Sequence, residues 1–540
     1  MSKNNKPSKT SGFLNRRANW VLILLGGAVG LIIIYLVLTG LFSSPSGQTL
    51  KMIKESERIS VGVTEYLNGL TQTQNPQLRG LFEKGFSFYE AGEYTEAINE
   101  FNSCLQLEPE YEKRAALLIA NGNCYILLGN SAEAELQYRR ALVFAEGVGD
   151  ENARATAWGN LGVTYQRSGS LDTAETLHQK ALNLYQKLGS KKEMAIQLGN
   201  LGFIFQNRKS LDKALKYHQE ALKIFKEVDY PLGQINQLSH LGWIYQNRGD
   251  FDSSLARYQE ALEISKKMEF PEAEASQLVN IGLVYQNKGS QDAALEYFQQ
   301  ALDVDKKAGY KKGEAEDLLT IGWVHEQKGN LDEALKKYKL SAKINQKAGF
   351  KKGEAGALFS LGMIYQRQEN LNEALNSLTQ ALILQREMGD KQAEANLLHM
   401  IGLIYRTQGD LDNALSSFGE AKGIYLEIGD VRNEARELNH IGHVRKEQGN
   451  LDEALRYYQA VLKITRDLKD RYGEAITLTN VGYVYLALGR SKEGLDSAKE
   501  ALKIFKEIGA QKEAAKVAEN IKNVEEMFEG TQKGGTKKGK

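Results

Sequence analysis

Histidine and cysteine are the residues of this chain whose chemistry is tested most directly by spacing. Of the seven histidines, His399, His440 and His443 occupy related positions in adjacent segments, and three convergent imidazoles are a ligand set for Zn²⁺ or Cu²⁺. No carboxylate or cysteine accompanies them at a diagnostic spacing, so they read as polar lining, and neither a metal nor any other cofactor is assigned. His178, His218 and His325 fall in slots otherwise held by aromatic residues and read as core. Cys104 and Cys124 are too few for a disulfide scaffold or a Cys-rich zinc module. They are able to bridge in an exported domain, but Cys104 fills a small-residue slot, which favours a buried free thiol. The chain carries no nucleotide-binding glycine loop, nucleophile elbow or zinc-protease helix. It therefore reads as non-enzymatic.

The composition is globular: 540 residues, 42% hydrophobic and 25% charged, with 69 basic against 68 acidic side chains. That balance gives no electrostatic case for nucleic acid. Glycine is abundant and proline scarce, at 51 and 6 residues, which points to helices that need glycine at special places. Residues 1–18 form a basic tail with Lys3, Lys6, Lys9, Arg16 and Arg17. The uncharged run from Trp20 to Phe42 reads as a transmembrane anchor, placed at 19–42, long enough for a hydrocarbon core of about 30 Å. It is also longer than the roughly 7–15 residues of a signal-peptide core. The positive-inside rule sets the N-terminus in the cytoplasm and exports the chain beyond the anchor, with a cytoplasmic-facing domain as the alternative. Gly26 and Gly30 form a GxxxG, which leaves homo-oligomerisation open.

After a connecting segment, 43–77, a glycine recurs at 122, 162, 202, 242, 282, 322, 362, 402, 442 and 482, with Gly85 as an earlier, closer copy. Around it stands a fixed pattern: Leu161-Gly162, Tyr165, Gly169, Leu171-Asp172, Ala174, Ala181-Leu182 in one copy, and Ile281-Gly282, Tyr285, Gly289, Ala294, Phe298, Ala301-Leu302 in another. Apolar residues three and four apart on both sides of a glycine turn predict two amphipathic helices per copy, A and B; in one copy A spans about 152–167 and B about 171–187. The turn glycines fit left-handed caps. Asn330, Asn370 and Asn450, each with a glutamate three residues on (Glu333, Glu373, Glu453), have capping-box spacing. The glycine within helix A predicts a close approach of helix B.

The order Trp158, Leu161, Gly162, Tyr165, Ala174, His178, Ala181, repeated as Leu238, Leu241, Gly242, Tyr245, Leu255, Tyr258, Ala261, resembles the tetratricopeptide repeat. The long 40-residue interval is similar to Pins-type and kinesin-light-chain repeats. The first copy, with Gly85, Phe88, Ala97, Phe101 and Pro109, resembles the ordinary short repeat. The resemblance implies an all-α fold: a right-handed superhelical solenoid of about eleven helix-turn-helix repeats over 78–509. A capping helix at 510–529 and a flexible basic tail at 530–540 complete the chain.

If the family geometry holds, helix A lines a concave groove. Its expected exposed positions carry an amide ladder: Asn160, Asn200, Asn280 and Asn480; Gln166, Gln206, Gln246, Gln286 and Gln366; Asn207, Asn247 and Asn287. An apolar stripe runs beside it through Val163, Phe203, Trp243, Leu283, Trp323, Met363 and Leu403. Amides donate to and accept from a peptide backbone while the stripe supplies burial, so the expected ligands are proteins or peptides, with Trp243 and Trp323 as anchors. The resemblance also argues against the lysine-based clamp of chaperone tails, because that slot holds Gly159, Gly199, Ser239, Val279, Leu319, Phe359, His399, Asn439 and Thr479. The expected function is a membrane-tethered interaction scaffold. The alternative is a translocation or assembly factor that holds exported chains.

Overall fold

The computed structural model describes residues 75–107 and 111–535. Among the described residues there are twenty-three helices and no strand, as expected of an all-α chain. In order they are α1 (Pro76–Ala91), α2 (Tyr94–Gln106), α3 (Tyr111–Leu127), α4 (Ser131–Val148), α5 (Glu151–Arg167), α6 (Leu171–Leu188), α7 (Lys191–Asn207), α8 (Leu211–Glu227), α9 (Pro231–Asn247), α10 (Phe251–Lys267), α11 (Pro271–Asn287) and α12 (Gln291–Ala308). They continue as α13 (Lys311–Gln327), α14 (Leu331–Ala348), α15 (Lys351–Arg367), α16 (Leu371–Met388), α17 (Lys391–Gln408), α18 (Leu411–Glu427), α19 (Val431–Glu447), α20 (Leu451–Asp467), α21 (Arg471–Ala487), α22 (Ser491–Glu507) and α23 (Gln511–Gly535). The chain forms two compact units that meet in sequence within α13, one ending at Asp317 and the other starting at Leu318.

In the first unit each odd-numbered helix packs against the even-numbered helix after it, forming an A–B hairpin. The crossing is set by the helix-A glycine. A β-carbon at Gly242 would stand 2.7 Å from the Tyr258 ring, and one at Gly282 would stand 2.5 Å from Phe298. His178 and His218 take the same place over Gly162 and Gly202. Glycine within a helix costs roughly 0.5–1 kcal/mol relative to alanine; here the missing carbon admits a ring from helix B into the core. Ala174, Ala181, Ala214 and Ala221 are fully buried on the helix-B side. Exposed ion pairs join successive hairpins: Arg208 to Asp172 at 2.5 Å, Arg248 to Asp212 at 2.6 Å, and Lys288 to Asp252 at 3.0 Å. Their aspartates are almost wholly solvated, so each contributes little.

The second unit repeats this construction, with Tyr338, Phe418 and Tyr458 over Gly322, Gly402 and Gly442, and Leu378 over Gly362. Its end is covered by α23, whose Val517 and Ile521 pack with Leu478 and Phe505.

The A–B turns carry left-handed glycines as predicted, for example Gly169 and Gly249 at φ 80° and 76°. Lys209 and Glu369 adopt the same conformation, at 58° and 59°. The capping boxes do not form: Asn330, Asn370 and Asn450 make no side-chain cap bond. Glu333 is instead drawn to Lys336 at 2.6 Å. Side-chain caps come mainly from aspartates, such as Asp150, Asp250, Asp390, Asp410, Asp430 and Asp470. Asn75 and Asn130 cap α1 and α4 in the same way, and the aspartates add a negative charge at the positive helix N-terminus.

The basic tail, the anchor at 19–42, most of the connecting segment and Pro109 lie outside the described residues. Among the described residues, no helix is long and apolar enough to cross a membrane.

Candidate functional site

In the first unit the helix-A face is built by α5, α7, α9 and α11. One residue past each crossing glycine stand Val163, Phe203, Trp243 and Leu283. Val163 is buried, and the other three are half-buried. The Phe203 ring lies 5.8 Å from His240, nearly edge-on, and Trp243 packs on the cluster of Phe205, Ala214 and Ile244. These contacts hold the rings in place while leaving part of each accessible.

The amides divide into two sets, and this corrects the expectation that all are exposed. Asn160, Asn200, Asn280 and Gln206 are between 2% and 5% exposed. Asn160 Nδ2 donates to Asn123 Oδ1 at 3.0 Å, and the same oxygen accepts from the Tyr138 hydroxyl at 2.8 Å. Gln206 Oε1 meets His240 Nδ1 at 3.0 Å, and Asn280 Nδ2 donates to Gln277 Oε1 at 3.4 Å. The close stacking of helix A on helix A encloses Asn160, Asn200 and Asn280, each just before a Leu-Gly or Ile-Gly pair, and turns Gln206 onto His240 of the following helix A. Asn207, Asn247 and Asn287 are exposed, and Gln166, Gln246 and Gln286 half-buried. Both amide atoms of Gln166 are buried without a hydrogen-bond partner. Tyr258 donates to Gln246 Oε1 at 3.4 Å, and Asn247 Nδ2 to the Trp243 carbonyl at 2.9 Å.

In the second unit Trp323 is half-buried, its Nε1 enclosed without an acceptor, and Gln366 is half-buried. The glutamine slot becomes ionic in other copies. Glu326 pairs with Arg367 at 2.7 Å and accepts from the Tyr338 hydroxyl at 2.9 Å. Arg406 binds Glu447 through two nitrogens.

His399, His440 and His443 do lie near one another: His399 is buried, whereas His440 and His443 are half-buried, His443 in the slot that Trp243 holds in its own copy. His399 is 2% exposed, with Nδ1 at 2.9 Å from Glu437, itself fully buried and also bound by Arg436 at 3.0 Å. His440 stacks on Phe418 at 5.0 Å, and His443 meets Tyr458 edge-on at 5.5 Å. Burial holds His440 well below the ordinary imidazole value and pushes His443 down to about 3; Arg406 adds to both effects. Among the described residues, no group of three His, Cys, Asp or Glu side chains is arranged to hold a metal ion. Cys104 and Cys124 are free buried thiols, each pushed up to about 12 by burial.

Residues 193–267, 273–347, 354–427 and 434–507 match one tetratricopeptide repeat family, and 154–188 match a second. The chain belongs to the tetratricopeptide repeat proteins. The solenoid fold of that family is consistent with a protein-interaction scaffold. Among solved structures it is similar to BtubC from P. vanneervenii, at 21% identity, covering 42% of this chain and 92% of that one, with a TM-score of 0.36. A STAND protein with a tetratricopeptide repeat sensor from Pyrococcus horikoshii is similar at 16% identity, 66% and 54% coverage and a TM-score of 0.44. A Rap protein complexed with competence and sporulation factor is similar at 13%, 65% and 98%, with a TM-score of 0.40. A search of curated proteins gave no significant match.

The structure adds a feature that spacing alone did not single out. At the end of helix B, where other copies place a ring (Tyr185, Phe225, Tyr425, Phe505) or a neutral polar side chain (Ser265, Asn345, Gln385, Thr465), α12 carries Asp305. It is 2% exposed, and its Oδ1 has no partner. Burial, with Glu316, Glu272 and Glu314 nearby, pushes its carboxyl up to about 7. Asp317, 5% exposed, is raised well above the usual range by burial and by Asp305. Aligning these copies column by column exposes Asp305 as the one acid in a slot that otherwise holds rings or neutral polar groups.

Proposed function

We propose that this protein is a non-enzymatic scaffold, tethered to a membrane by residues 19–42, that gathers partner proteins on the helix-A faces of its repeats. The observation that carries the reading is the row of half-buried apolar side chains Phe203, Trp243 and Leu283, the two rings held by His240 and by the Phe205 cluster, beside the exposed amides of Asn207, Asn247 and Asn287. Rigid rings with neighbouring amides suit an extended or helical peptide. Trp323 and Gln366 offer the same chemistry in the second unit. Asn160, Asn200, Gln206 and Asn280 position this face from beneath. Tethering raises the local concentration of partners, so modest affinity per contact suffices. The repeats lie on the extracytoplasmic side in this reading.

Crosslinking in native membranes followed by mass spectrometry tests it. A few stoichiometric partners, lost on Trp243→Ala with the fold intact, support the scaffold. Capture of many unrelated exported chains would instead identify a holdase. Protease digestion of intact cells tests the side of the membrane; cleavage only from the cytoplasmic side would reverse the topology.

A further inference from the structure

The repeated helix B offers comparison within a single chain, and α4 departs from its counterparts. Its outward line carries Ala132, Leu136, Arg140, Val143 and Gly147, all exposed. Leu136 is 49% exposed and Val143 69%, the highest value among the described large apolar side chains. In most other copies the Leu136 slot is polar, as at Lys216, Glu296 and Arg456, and so is the Val143 slot, as at Lys223, Glu263 and Asp303; Ile383, 51% exposed, is a large apolar side chain in the Val143 slot of another copy, and no other copy has large apolar residues in both. Gly147 is a second anomaly. It is helical, and a β-carbon added there meets nothing within 4 Å, so the crossing constraint that explains Gly242 is absent.

The spacing describes a stripe. Leu136 and Val143 are two turns apart, about 10 Å along the axis. Ala132 and Gly147 extend the stripe a turn beyond each, and small residues there permit close approach of another helix. Arg140 stands at the centre, and its hydrogen bond within the fold is a long one to Gln137 Oε1, 3.4 Å. Arg139 beside it is occupied by Glu135 and the Tyr165 hydroxyl, each at 2.8 Å.

A second copy fits this face poorly. A two-fold pairing of α4 with itself places equivalent residues symmetrically about the centre. Centred between Leu136 and Val143, an antiparallel pairing would set Arg139 against the second copy's Arg140, and Glu133 against its Glu146. The central unneutralised guanidinium between two apolar anchors calls for a carboxylate in the same frame. We propose that the outer face of α4 docks an amphipathic helix of a partner protein, in which two apolar residues one heptad apart flank an acidic residue that pairs with Arg140. This site lies in the helix-B layer and is independent of the helix-A face.

The probe is a designed fluorescent alanine-based helix of about three heptads, with two leucines seven apart and a glutamate midway. A control peptide carries lysine at that midpoint. Fluorescence anisotropy against the full-length chain should show the glutamate peptide binding at least about tenfold more tightly than the lysine peptide. Leu136→Asp and Val143→Asp should each weaken it by about tenfold or more, and Arg140→Glu should reverse the preference between the two peptides. The substituted side chains are exposed, so thermal melts should stay within about 0.5 kcal/mol of the parent, and the charge reversal reads binding independently of any loss of fold. Equal binding of the two peptides, or indifference to Leu136→Asp, would overturn the proposal. So would loss of binding on Trp243→Ala, which would move the peptide to the helix-A face. A concentration-dependent dimer abolished by Val143→Asp would assign the surface to a second copy instead.

Discussion

Asp305→Asn should stabilise the first unit near neutral pH, and the size of the gain comes from where the carboxyl lies. Asp305 is buried beside Gly313, with Glu316, Glu272 and Glu314 contributing negative potential. In the unfolded chain it ionises above 3.8, whereas in the fold it holds its proton up to about 7. An acid raised on folding contributes stability that is fully present below its unfolded value and is lost as pH rises through the folded one. Over that window, at about 1.36 kcal/mol per tenfold change in proton activity, the loss approaches roughly 4 kcal/mol. Relaxation and water entry reduce this, so about 2–4 kcal/mol is expected at about pH 7.5. The amide has a precedent in the same chain: Asn345 occupies the equivalent slot beside Gly353, 2% exposed, with Nδ2 donating to Ser341 Oγ at 3.3 Å. Repeat arrays open locally rather than all at once, so the assay is native-state hydrogen exchange in α12 and the start of α13. Protection should rise in the variant at about pH 7.5 and converge with the parent near pH 4. A variant that is no more protected at neutral pH, or whose gain is the same at both values, would refute the buried-acid account.

Lys209→Gly and Glu369→Gly should each add about 0.5–1 kcal/mol, because the positive φ of these turns strains a side chain that the other copies omit; thermal melts would measure it. Gly242→Ala should destabilise by about 1–3 kcal/mol, since its β-carbon meets the Tyr258 ring at 2.7 Å; the same substitution at Gly147 should not, and paired melts of the two variants would separate a crossing glycine from an open one. In the second unit, His440 and His443 are bases lowered by burial. Their contribution is present above 6.5 and is lost as pH falls towards about 3. Protection factors in α19, with the intrinsic exchange rate divided out, should therefore fall on acidification, and His443→Gln should flatten that dependence.

The repeat was legible because one geometric demand recurs at a fixed interval. A helix crossing tight enough to exclude a β-carbon prescribes glycine, and a left-handed turn prescribes another, so Gly242 and Gly249 announce both the hairpin and its register. Exposure was less legible. Asn160 and Asn207 are both amides on helix A, yet one is enclosed by the stacking of the next repeat and the other is not. Side-chain type does not distinguish them, because an asparagine satisfied by Asn123 and one satisfied by water look the same in one dimension. The capping boxes failed for a related reason: the spacing of Asn330 and Glu333 is necessary for the motif, but Lys336 competes for the carboxylate.

The departures from the repeat therefore carry information that the repeat itself does not. A residue that matches its column is explained by the packing common to every copy. Asp305 breaks its column inward, placing an acid where other copies have a ring or a neutral polar group, and weakens the fold near neutral pH. Leu136 and Val143 break theirs outward, placing two large apolar side chains on one line where other copies are mostly polar and none but α16, at Ile383, has even one. The first kind is tested by stability and its pH dependence, the second by binding with stability held constant. If Asp305→Asn leaves protection unchanged while Arg140→Glu reverses peptide preference, only the outward departures report function, and column-by-column comparison of the copies becomes a way to find docking surfaces on helix B.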